Sequence, residues 1–409
     1  MTKITDVTAT EILDSRGNPT VQVTLSSDAA TATARVPSGA STGKYEAHEL
    51  RDHDGNRYRG KGVEQAVENV ETTIRERILQ TNPATQEAFD QHLLDLDGTA
   101  NKSELGANTL LGCSMAYARL TAKVENKQLY EVLGEKSMLP TPYANILNGG
   151  DHAGNDLSLQ EFMITPIAVK GVKEATRIIA ETYHALNDLI AQRYGSQHTG
   201  VGDEGGFAPP ISDPEEAVDL IEAAAQQAGH SDTVRLAVDA AANEFYDADD
   251  DAYNVDDTKM STTELRHYYE DLIEDHPIIS LEDPFHDDDF EAFAHLLDAV
   301  RDDARIVGDD LTVSNPERVE TAISLDSADE LLLKVNQIGT VTEAIRAAGL
   351  AHDAGWDVMV SHRSGETSDP FIIDLAIGIG AKHVKIGAPC RGERTAKYNR
   401  LLTVADQVW

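Results

Sequence analysis

The sequence has few residues of positive charge and very few cysteines. Lysine and arginine number 34 against 71 aspartates and glutamates, so the formal net charge is −37. Such a charge repels nucleic acids and anionic membrane surfaces, which excludes both as expected partners. The two cysteines, Cys113 and Cys390, lie far apart and form no CxxC pattern. We therefore expect neither a disulfide framework nor a cysteine zinc site, and we expect a cytoplasmic location.

Long apolar runs are also lacking. No stretch approaches the ~20 apolar residues that a membrane-spanning helix needs. The first residues, MTKITDVTATEIL, include no apolar signal segment. The chain has 409 residues, of which 41% are hydrophobic, and this is enough for a sizeable core. The length predicts two or three domains, or one barrel with a smaller partner.

The abundant acidic residues are spread along the chain and do not form one tail. Their densest stretch, DADDDAYNVDDT at 247–258, resembles the start of a calcium loop but has Ala252 in place of glycine and Thr258 in place of glutamate. Two explanations remain open, a calcium-binding protein and a protein of a salt-loaded cytoplasm. We favour the second, because a Debye length of ~3 Å at 1 M salt screens the self-repulsion.

The first part of the chain predicts a small α+β domain. TVQVTLSS at 20–27 and TATARV at 31–36 alternate apolar and polar residues, as half-buried strands do, and helical patterns follow. We place this domain at 1–134 and a second domain at 135–409. The segment LPTPYANILNGG at 139–150 carries two prolines and is interpreted as the junction.

The second part of the chain repeats a strand–helix unit. Short β-branched runs each end on a polar residue. From Glu282 onward, successive polar residues of this kind are separated by about 23–28 positions. This repeat predicts a (β/α) barrel, in which the C-terminal ends of the strands face one shared pocket. The polar strand-end residues are Asp239, Glu282, Asp309, Lys334, His362 and Lys385.

Asp239, Glu282 and Asp309 follow three consecutive strands of this repeat. Three carboxylates in one pocket repel one another unless a cation lies between them. Oxygen ligands without histidine or cysteine suit Mg²⁺ or Mn²⁺, so the pattern predicts a metal site. The alternative is that each acid is a helix cap or part of a loop salt bridge.

Lys334 follows the next strand and lies within the apolar run LLLKVNQIG. Beside a dication the ammonium form of a lysine is disfavoured, so its pKa is expected to fall and the amine becomes a candidate base. The alternative is a structural salt bridge to one of the acids.

A glycine-rich loop, GVGDEGGFAPP at 200–210, presents Glu204. Four glycines around two acids favour close approach of the backbone to a ligand, although a plain turn is the alternative. Glu161, in LSLQEFMI, is a candidate partner of Glu204. Two neighbouring carboxyls can share a proton, so that one stays acidic near neutral pH.

Two further segments suggest phosphate and metal contacts. VMVSHRSGETSD offers Arg363 and Ser364 directly after His362, and arginine with a serine hydroxyl suits phosphate. VPSGASTGKYEAHE at 36–49 fails the Walker pattern, but its Ser41 can offer an oxygen to a metal ion.

Taken together, these stretches closely resemble one family, the enolases, over nearly the full length and in the family's order. LLLKVNQIGT and SHRSGET are the most specific matches, and GDEGGFAP, SLEDPF and KIGAPCRGERTAKYN support them. The resemblance implies an N-terminal α+β domain and a barrel of modified strand order. It implies reversible dehydration of 2-phospho-D-glycerate to phosphoenolpyruvate with two Mg²⁺ per active site. It also implies a homodimer, with room for a larger assembly and for a cell-surface or secreted fraction.

The resemblance assigns each matching residue an expected role. Lys334 is the base that takes the C2 proton, and Glu204, supported by Glu161, is the acid that helps the C3 hydroxyl leave. Asp239, Glu282 and Asp309 are ligands of the first Mg²⁺, and Ser41 is a ligand of the second. The other expected substrate contacts are His152, Gln160, His362, Arg363, Ser364 and Lys385, together with Glu161, Glu282 and Asp309 of the groups above.

Two other functions remain as alternatives. One is a metal-dependent barrel enzyme of the same superfamily that acts on a carboxylate without phosphate. Arg363, Ser364 and the loop around Ser41 count against it. The other is a non-catalytic binding or scaffold protein of the same fold. The presence of Lys334, Glu204 and the three acids counts against that function.

Overall fold

The computed structural model describes residues 3–39, 43–256 and 258–408. It begins with an antiparallel sheet of three strands, β1 (Ile4–Leu13), β2 (Pro19–Ser27) and β3 (Thr31–Arg35), in the order β1-β2-β3. The odd-numbered apolar residues of β2, Val21, Val23 and Leu25, are fully buried. The strands predicted from the alternation of apolar and polar residues are therefore present.

Helices cover one face of this sheet. Their bounds are α1 (Glu64–Asn69), a π-helical turn (Val70–Ile74), α2 (Arg75–Thr81), α3 (Gln86–Asp97), α4 (Ala107–Glu125) and α5 (Tyr130–Leu133). Helix α4 packs on the sheet, and a Cβ at its Gly112 would lie 2.6 Å from a methyl group of Val23. Glycine is therefore needed for this close approach.

Eleven more strands follow within the described residues. They are β4 (Thr141–Asn148), β5 (Glu161–Pro166), β6 (Val234–Asp239), β7 (Tyr246–Asp247), β8 (Ala252–Val255), β9 (Thr258–Met260), β10 (Ile278–Glu282), β11 (Arg305–Gly308), β12 (Glu330–Leu333), β13 (Asp357–Ser361) and β14 (His383–Lys385). Eight of them close a barrel in the order β10-β11-β12-β13-β14-β4-β5-β6. The predicted barrel class is confirmed, and the small sheet β7-β8-β9 forms the acidic excursion.

Two features of the barrel differ from the expectation. Residues 139–150 are not merely a junction, because they contain strand β4, which pairs with β14 through Pro142 and Val384. Prolines were read as a break, but Pro142 stands at the start of its strand, where a missing N–H is tolerated. Strand β5 runs antiparallel to both β4 and β6, which a strand–helix repeat does not predict.

Helices surround the barrel. Their bounds are α6 (Val172–Arg193), α7 (Pro214–Ala228), α8 (Thr262–Asp275), α9 (Phe290–Val300), α10 (Pro316–Ser324), α11 (Val335–Ile338), α12 (Val341–Asp353), α13 (Phe371–Ile379) and α14 (Gly392–Val408). Short 3-10 turns at 58–60, 150–152, 196–198 and 242–245 complete the elements. Within the described residues, no helix combines the length and apolarity needed to cross a membrane.

The interior of the barrel is a packed apolar cluster separate from the main core. The polar groups therefore lie at the two ends of the strands, as in barrels generally. Its members are Tyr143, Met163, Ala237, Val307, Leu332 and Met359.

Candidate active site

The ends of the strands bring the predicted polar residues to one face of the barrel. Strand register pairs Glu161 with Asp239 and Asp239 with Glu282, so three carboxylates stand side by side on β5, β6 and β10. Lys385 is the last residue of β14. Asp309, Lys334 and His362 come directly after the ends of β11, β12 and β13.

These residues surround a small cavity of about 60 Å³. Glu282 is fully buried beside the cavity but does not line it, and Ser41 lies outside the described residues. The lining includes the other expected site residues, namely His152, Gln160, Glu161, Glu204, Asp239, Asp309, Lys334, His362, Arg363, Ser364 and Lys385.

The ammonium of Lys385 bridges the row of carboxylates. Its Nζ lies 2.9 Å from Asp239 Oδ2, 2.9 Å from each oxygen of Glu282 and 3.1 Å from Glu161 Oε2. Burial lowers the pKa of Lys385, but attraction to Asp239, Glu161 and Glu282 outweighs burial and raises it well above the ordinary value. Lys385 is therefore a fixed positive charge in the cavity.

One lysine does not neutralise so many acids. Burial and the charge of Asp239 raise the pKa of Glu282 well above its usual value, even with Lys385 in contact. The row of carboxylates thus has a deficit of positive charge. Because all of its donors are carboxylate oxygens, the cation that it would accept is a hard one such as Mg²⁺.

Asp309 belongs to a second acidic group. Its oxygens come within 4.8 Å of those of Asp283 and Asp310, a spacing that a metal ion can bridge. Asp283 accepts backbone N–H bonds from Asp309 and Asp310, at 2.9 and 2.7 Å. Burial and the charge of Asp309 raise the pKa of Asp310 to about 7. Asp283 and Asp310 were not among the predicted residues, although both stand next to a predicted acid.

Lys334 is paired with Asp309 through a close Nζ–Oδ2 contact. Gln337 also donates to Asp309, at 2.9 Å, and the Lys334 backbone N–H donates to Ser314 Oγ at 2.8 Å. Burial lowers the pKa of Lys334, but the charge of Asp309 more than offsets burial and raises it. The expected fall in this pKa presupposes a dication, and beside the carboxylate alone the direction is the opposite.

Glu161 and Glu204 meet on the other side of the cavity. His152 Nδ1 lies 3.3 Å from Glu161 Oε1 and 4.0 Å from Glu204 Oε1, so the histidine contacts both acids. His362 Nε2 lies 3.1 Å from Glu204 Oε2, and Asn145 donates to the same oxygen at 3.1 Å. Glu204 is therefore held from two sides, whereas Glu161 faces Lys385.

The surroundings separate the proton affinities of the two acids. Burial and the charge of Glu204 raise the pKa of Glu161. Burial also favours protonation of Glu204, but His362, His152 and Arg394 outweigh it and hold its pKa well below the usual range. Burial lowers the pKa of His362 to about 3, and the two acids raise that of His152 to about 9 against its burial. One carboxyl of the pair therefore keeps a proton more readily than the other.

Arg363 is engaged by a glutamate that the sequence did not single out. Glu46, from the loop before the first helix, lies 3.0 Å from Arg363 Nη1 and 3.1 Å from its Nη2. Arg363 Nη1 also donates to Asn336 Oδ1 at 3.1 Å. Arg16 approaches Ser364 Oγ at 3.5 Å, so the predicted phosphate segment has a second cation beside it.

Two protein-family models match the chain and between them cover almost all of it. "Enolase, N-terminal domain" matches residues 4–133, and "Enolase, C-terminal TIM barrel domain" matches residues 136–409. The chain belongs to the enolase family. The resemblance stated from the sequence is thereby confirmed, and with it the combination of an N-terminal α+β region and a barrel.

Relatives of the same family match over nearly their full length. An enolase of Methanopyrus kandleri is 49% identical over 413 residues, which cover 100% of this chain and 96% of that enolase. An enolase of Methanosarcina barkeri is 50% identical over 409 residues, covering 99% and 95%. An enolase of Methanocaldococcus jannaschii is 48% identical over 409 residues, covering 99% and 96%.

In this enolase-family chain, Arg394 binds the segment that carries His362, Arg363 and Ser364. The fully buried guanidinium donates to the carbonyl oxygens of Arg363 and Ser364, both at 2.6 Å, and to His362 Nδ1 at 2.5 Å. Arg394 belongs to the stretch KIGAPCRGERTAKYN but was not among the predicted site residues. An arginine that turns inward from the first turn of a helix has no distinct signature in the sequence.

Proposed function

We propose that the cavity at the mouth of the barrel dehydrates 2-phospho-D-glycerate to phosphoenolpyruvate through the groups named above. As a member of the enolase family, the chain is a lyase of the phosphopyruvate hydratase type, and the family depends on Mg²⁺. One observation carries the assignment of roles. A lysine and a pair of carboxyls with separated pKa values line the same cavity, together with Asp239 and Asp309.

Lys334 is the proposed base. The proton at C2 lies next to a carboxylate and is very weakly acidic, because its removal adds negative charge to an anion. The Lys334 side chain is 16% exposed and lies at the edge of the cavity, where Nζ can take this proton once its contact with Asp309 is released. The neutral amine is the form that accepts the proton.

Glu204 is the proposed acid, with Glu161 as its partner. Hydroxide is a poor leaving group, so a protonated carboxyl must lie near C3. The raised pKa of Glu161 keeps one proton in the pair near neutral pH, and the pair can pass it to the departing oxygen through Glu204. His152 and His362 contact the pair and keep it oriented.

The remaining proposed roles concern binding. Arg363 and Ser364 would hold the phosphate, and Arg363 would exchange its two contacts with Glu46 for phosphate oxygens. Lys385 would attract the substrate carboxylate. His152, Gln160 and His362 would complete the substrate contacts, since all three line the cavity.

We further propose two Mg²⁺ ions per site. Asp239, Glu282 and Asp309 would hold the first, and the deficit of positive charge around Glu282 supports this. Ser41 would contribute to the second. Bound Mg²⁺ would supply electrostatic stabilisation of the charge that develops when C2 loses its proton.

Other parts of the proposal concern the whole protein. We propose a homodimer, with a larger assembly also allowed, a domain division at 1–134 and 135–409, and a cytoplasmic location. The excess of acidic residues, 71 against 34 basic ones, supports adaptation to a salt-loaded cytoplasm.

The test is phosphoenolpyruvate formation from 2-phospho-D-glycerate, measured with Mg²⁺ and after EDTA, over a series from dilute to molar KCl. We expect activity that EDTA abolishes, that Mg²⁺ restores and that rises with KCl. A peak in dilute buffer would contradict the salt adaptation only. A folded protein without activity at any KCl concentration would contradict the assigned function, and glycerate without phosphate would then be the next substrate to test.

A further inference from the structure

A second cavity, of about 760 Å³, lies at the opposite end of the barrel. It is formed where β4 and β14 begin and where the reversed strand β5 ends. Its lining is mainly apolar and includes Leu139, Pro142, Ile167, Val169 and Ile279. A volume of this size lies within the ~300–1,000 Å³ of ordinary small-molecule sites. The residues proposed for dehydration take no part in it.

The reversal of β5 changes the electrostatics of this end. In a regular barrel, this face carries the C-terminal ends of the helices, which are the negative ends of their dipoles. Here β5 runs the other way, so the N-terminus of helix α6 reaches this face, and Gly171, Val172 and Lys173 line the cavity. Gly171 has no side chain to cap the helix. The positive end of a 22-residue helix therefore faces the cavity.

The wall of this cavity also carries a buried hydroxyl group. Thr165, the penultimate residue of β5, lines the cavity and is 1% exposed. Within the described residues, its Oγ1 has no hydrogen-bond partner. Buried polar groups are usually paired, so an unpaired hydroxyl on a cavity wall indicates a ligand or a water that it would bind.

Three lysines stand around the opening, in a chain that is otherwise strongly acidic. Lys173 is paired with Asp406, and Lys382 lies 2.8 Å from Asp357. Lys170 is exposed, and no ion pair of its side chain occurs in the part of the chain that the structure describes. Glu174, in the first turn of α6, accepts the Lys170 backbone N–H at 3.0 Å, and the Lys170 ammonium itself extends into the opening.

We infer that this cavity binds a small amphipathic carboxylate. The apolar body of the ligand would lie against the aliphatic walls. Its carboxylate would lie between Lys170 and the N-terminus of α6, within reach of the Thr165 hydroxyl. The Lys170 side chain and the Thr165 hydroxyl favour this class of ligand over a neutral apolar one, because a purely apolar ligand would leave both of them without a partner.

The probe is octanoate, titrated by calorimetry into the full chain at a KCl concentration that supports full activity. We expect saturable binding of one octanoate per chain. Octan-1-ol, which has the same body without the charge, is expected to bind at least tenfold more weakly. Lys170→Glu should weaken octanoate binding at least tenfold, and Thr165→Val about fivefold. Lys127→Glu makes the same charge change on a distant exposed lysine and should have no effect.

A blocking variant tests the location. Val169→Trp places a large ring on a loop at the cavity wall and should abolish octanoate binding while dehydration activity stays normal. Absence of saturable binding to the unmodified chain would overturn the proposal. So would binding that survives both Val169→Trp and Lys170→Glu. Binding that appears only in a chain shortened after Gln407 would assign the cavity to the protein's own last residues and would likewise overturn it.

Discussion

The two ends of the barrel differ in how their side chains interact, and this difference sets the space that each leaves open. At the mouth, groups of opposite charge draw together, as Lys385 does with Asp239 and Glu282, and the cavity is only about 60 Å³. At the other end, the walls are mainly apolar, the ion pairs of Lys173 and Lys382 lie at the opening, and the cavity is about 760 Å³. An enclosed set of charges suits a reaction site, and an apolar space with a charged opening suits a binding site.

The strongest test of this contrast removes the proposed base from the mouth. Lys334→Ala should reduce turnover by about 10⁴-fold, because it removes the proposed base for the C2 proton. Binding of Mg²⁺ and 2-phospho-D-glycerate should remain, since Lys334 is not proposed to hold either. Steady-state kinetics and calorimetric titration measure the two effects separately.

Lys127→Ala is the matched control, because it removes an exposed lysine that lines neither cavity. Its turnover should equal that of the unmodified chain. Near-normal turnover in Lys334→Ala would refute the base assignment, and the lysine would then be a structural partner of Asp309.

A second change separates the two halves of the reaction. In Glu204→Gln, exchange of the C2 proton with deuterium from solvent should persist after net dehydration has been lost, because Lys334 is intact and only the acid is missing. Mass spectrometry of recovered 2-phospho-D-glycerate reports exchange, and ultraviolet absorbance reports phosphoenolpyruvate.

Asp203→Asn, the neighbouring acid in the same loop, is the control and should leave both rates unchanged. If exchange and dehydration fall by the same factor in Glu204→Gln, then Glu204 is not the acid of a separable second step.

The sequence predicted the strand ends well, because each was a short β-branched run closed by a polar residue. Asp239, Glu282, Lys334 and Lys385 all occupy such ends. Local patterns cannot reveal which groups meet across the barrel. The contact of Lys385 with three of the acids, Glu161, Asp239 and Glu282, was not predicted for this reason.

The same reason explains the other omissions. Glu46 reaches Arg363 from a loop more than 300 positions away in the chain, and Arg394 turns inward from the last helix. The direction of β5 was also missed, since an apolar run has the same pattern in either direction. That reversal brings the N-terminus of helix α6 to the second cavity, at the opposite end of the barrel.

A third change tests whether the interior between the two ends serves stability alone. Leu332 is fully buried in the apolar cluster of the barrel. Leu332→Ala should lower the free energy of unfolding by about 3 kcal/mol, through lost burial and the cavity that remains. Turnover at a temperature where the variant is folded should stay within about twofold, which is under 1 kcal/mol in activation free energy.

Leu325→Ala, at a leucine that is 51% exposed, is the control and should change stability little. Denaturant unfolding measures both variants. A large loss of turnover in folded Leu332→Ala would mean that the interior cluster also positions the mouth, and the separation of roles between interior and mouth would be incorrect.

The smallest expected effect concerns a buried carboxylate away from both ends. Asp90 belongs to helix α3 and faces the start of α12, where its Oδ2 accepts bonds from the Thr342 backbone N–H (2.9 Å) and hydroxyl (2.6 Å). Burial raises the pKa of Asp90 from 3.8 to about 6, although bonds from Ser114, Thr342 and Gln86 oppose this. At the mouth such a raised pKa serves the reaction, whereas here it should only cost stability.

The expected sign follows from proton binding. Between pH 3.8 and about 6 the folded chain holds the Asp90 proton more tightly than the unfolded chain, so this contribution to stability is present at low pH and is lost as pH rises through about 6. Asp90→Asn cannot lose a proton. From pH 5 to 7.5, the stability of the unmodified chain relative to this variant should therefore fall by about 1 kcal/mol. Asp95→Asn, at an exposed position of the same helix, should give no such change. An equal pH dependence for Asp90→Asn and the unmodified chain would show that Asp90 is ionised in the fold without a cost in stability. Burial alone would then not explain the raised pKa values of the acids at the mouth.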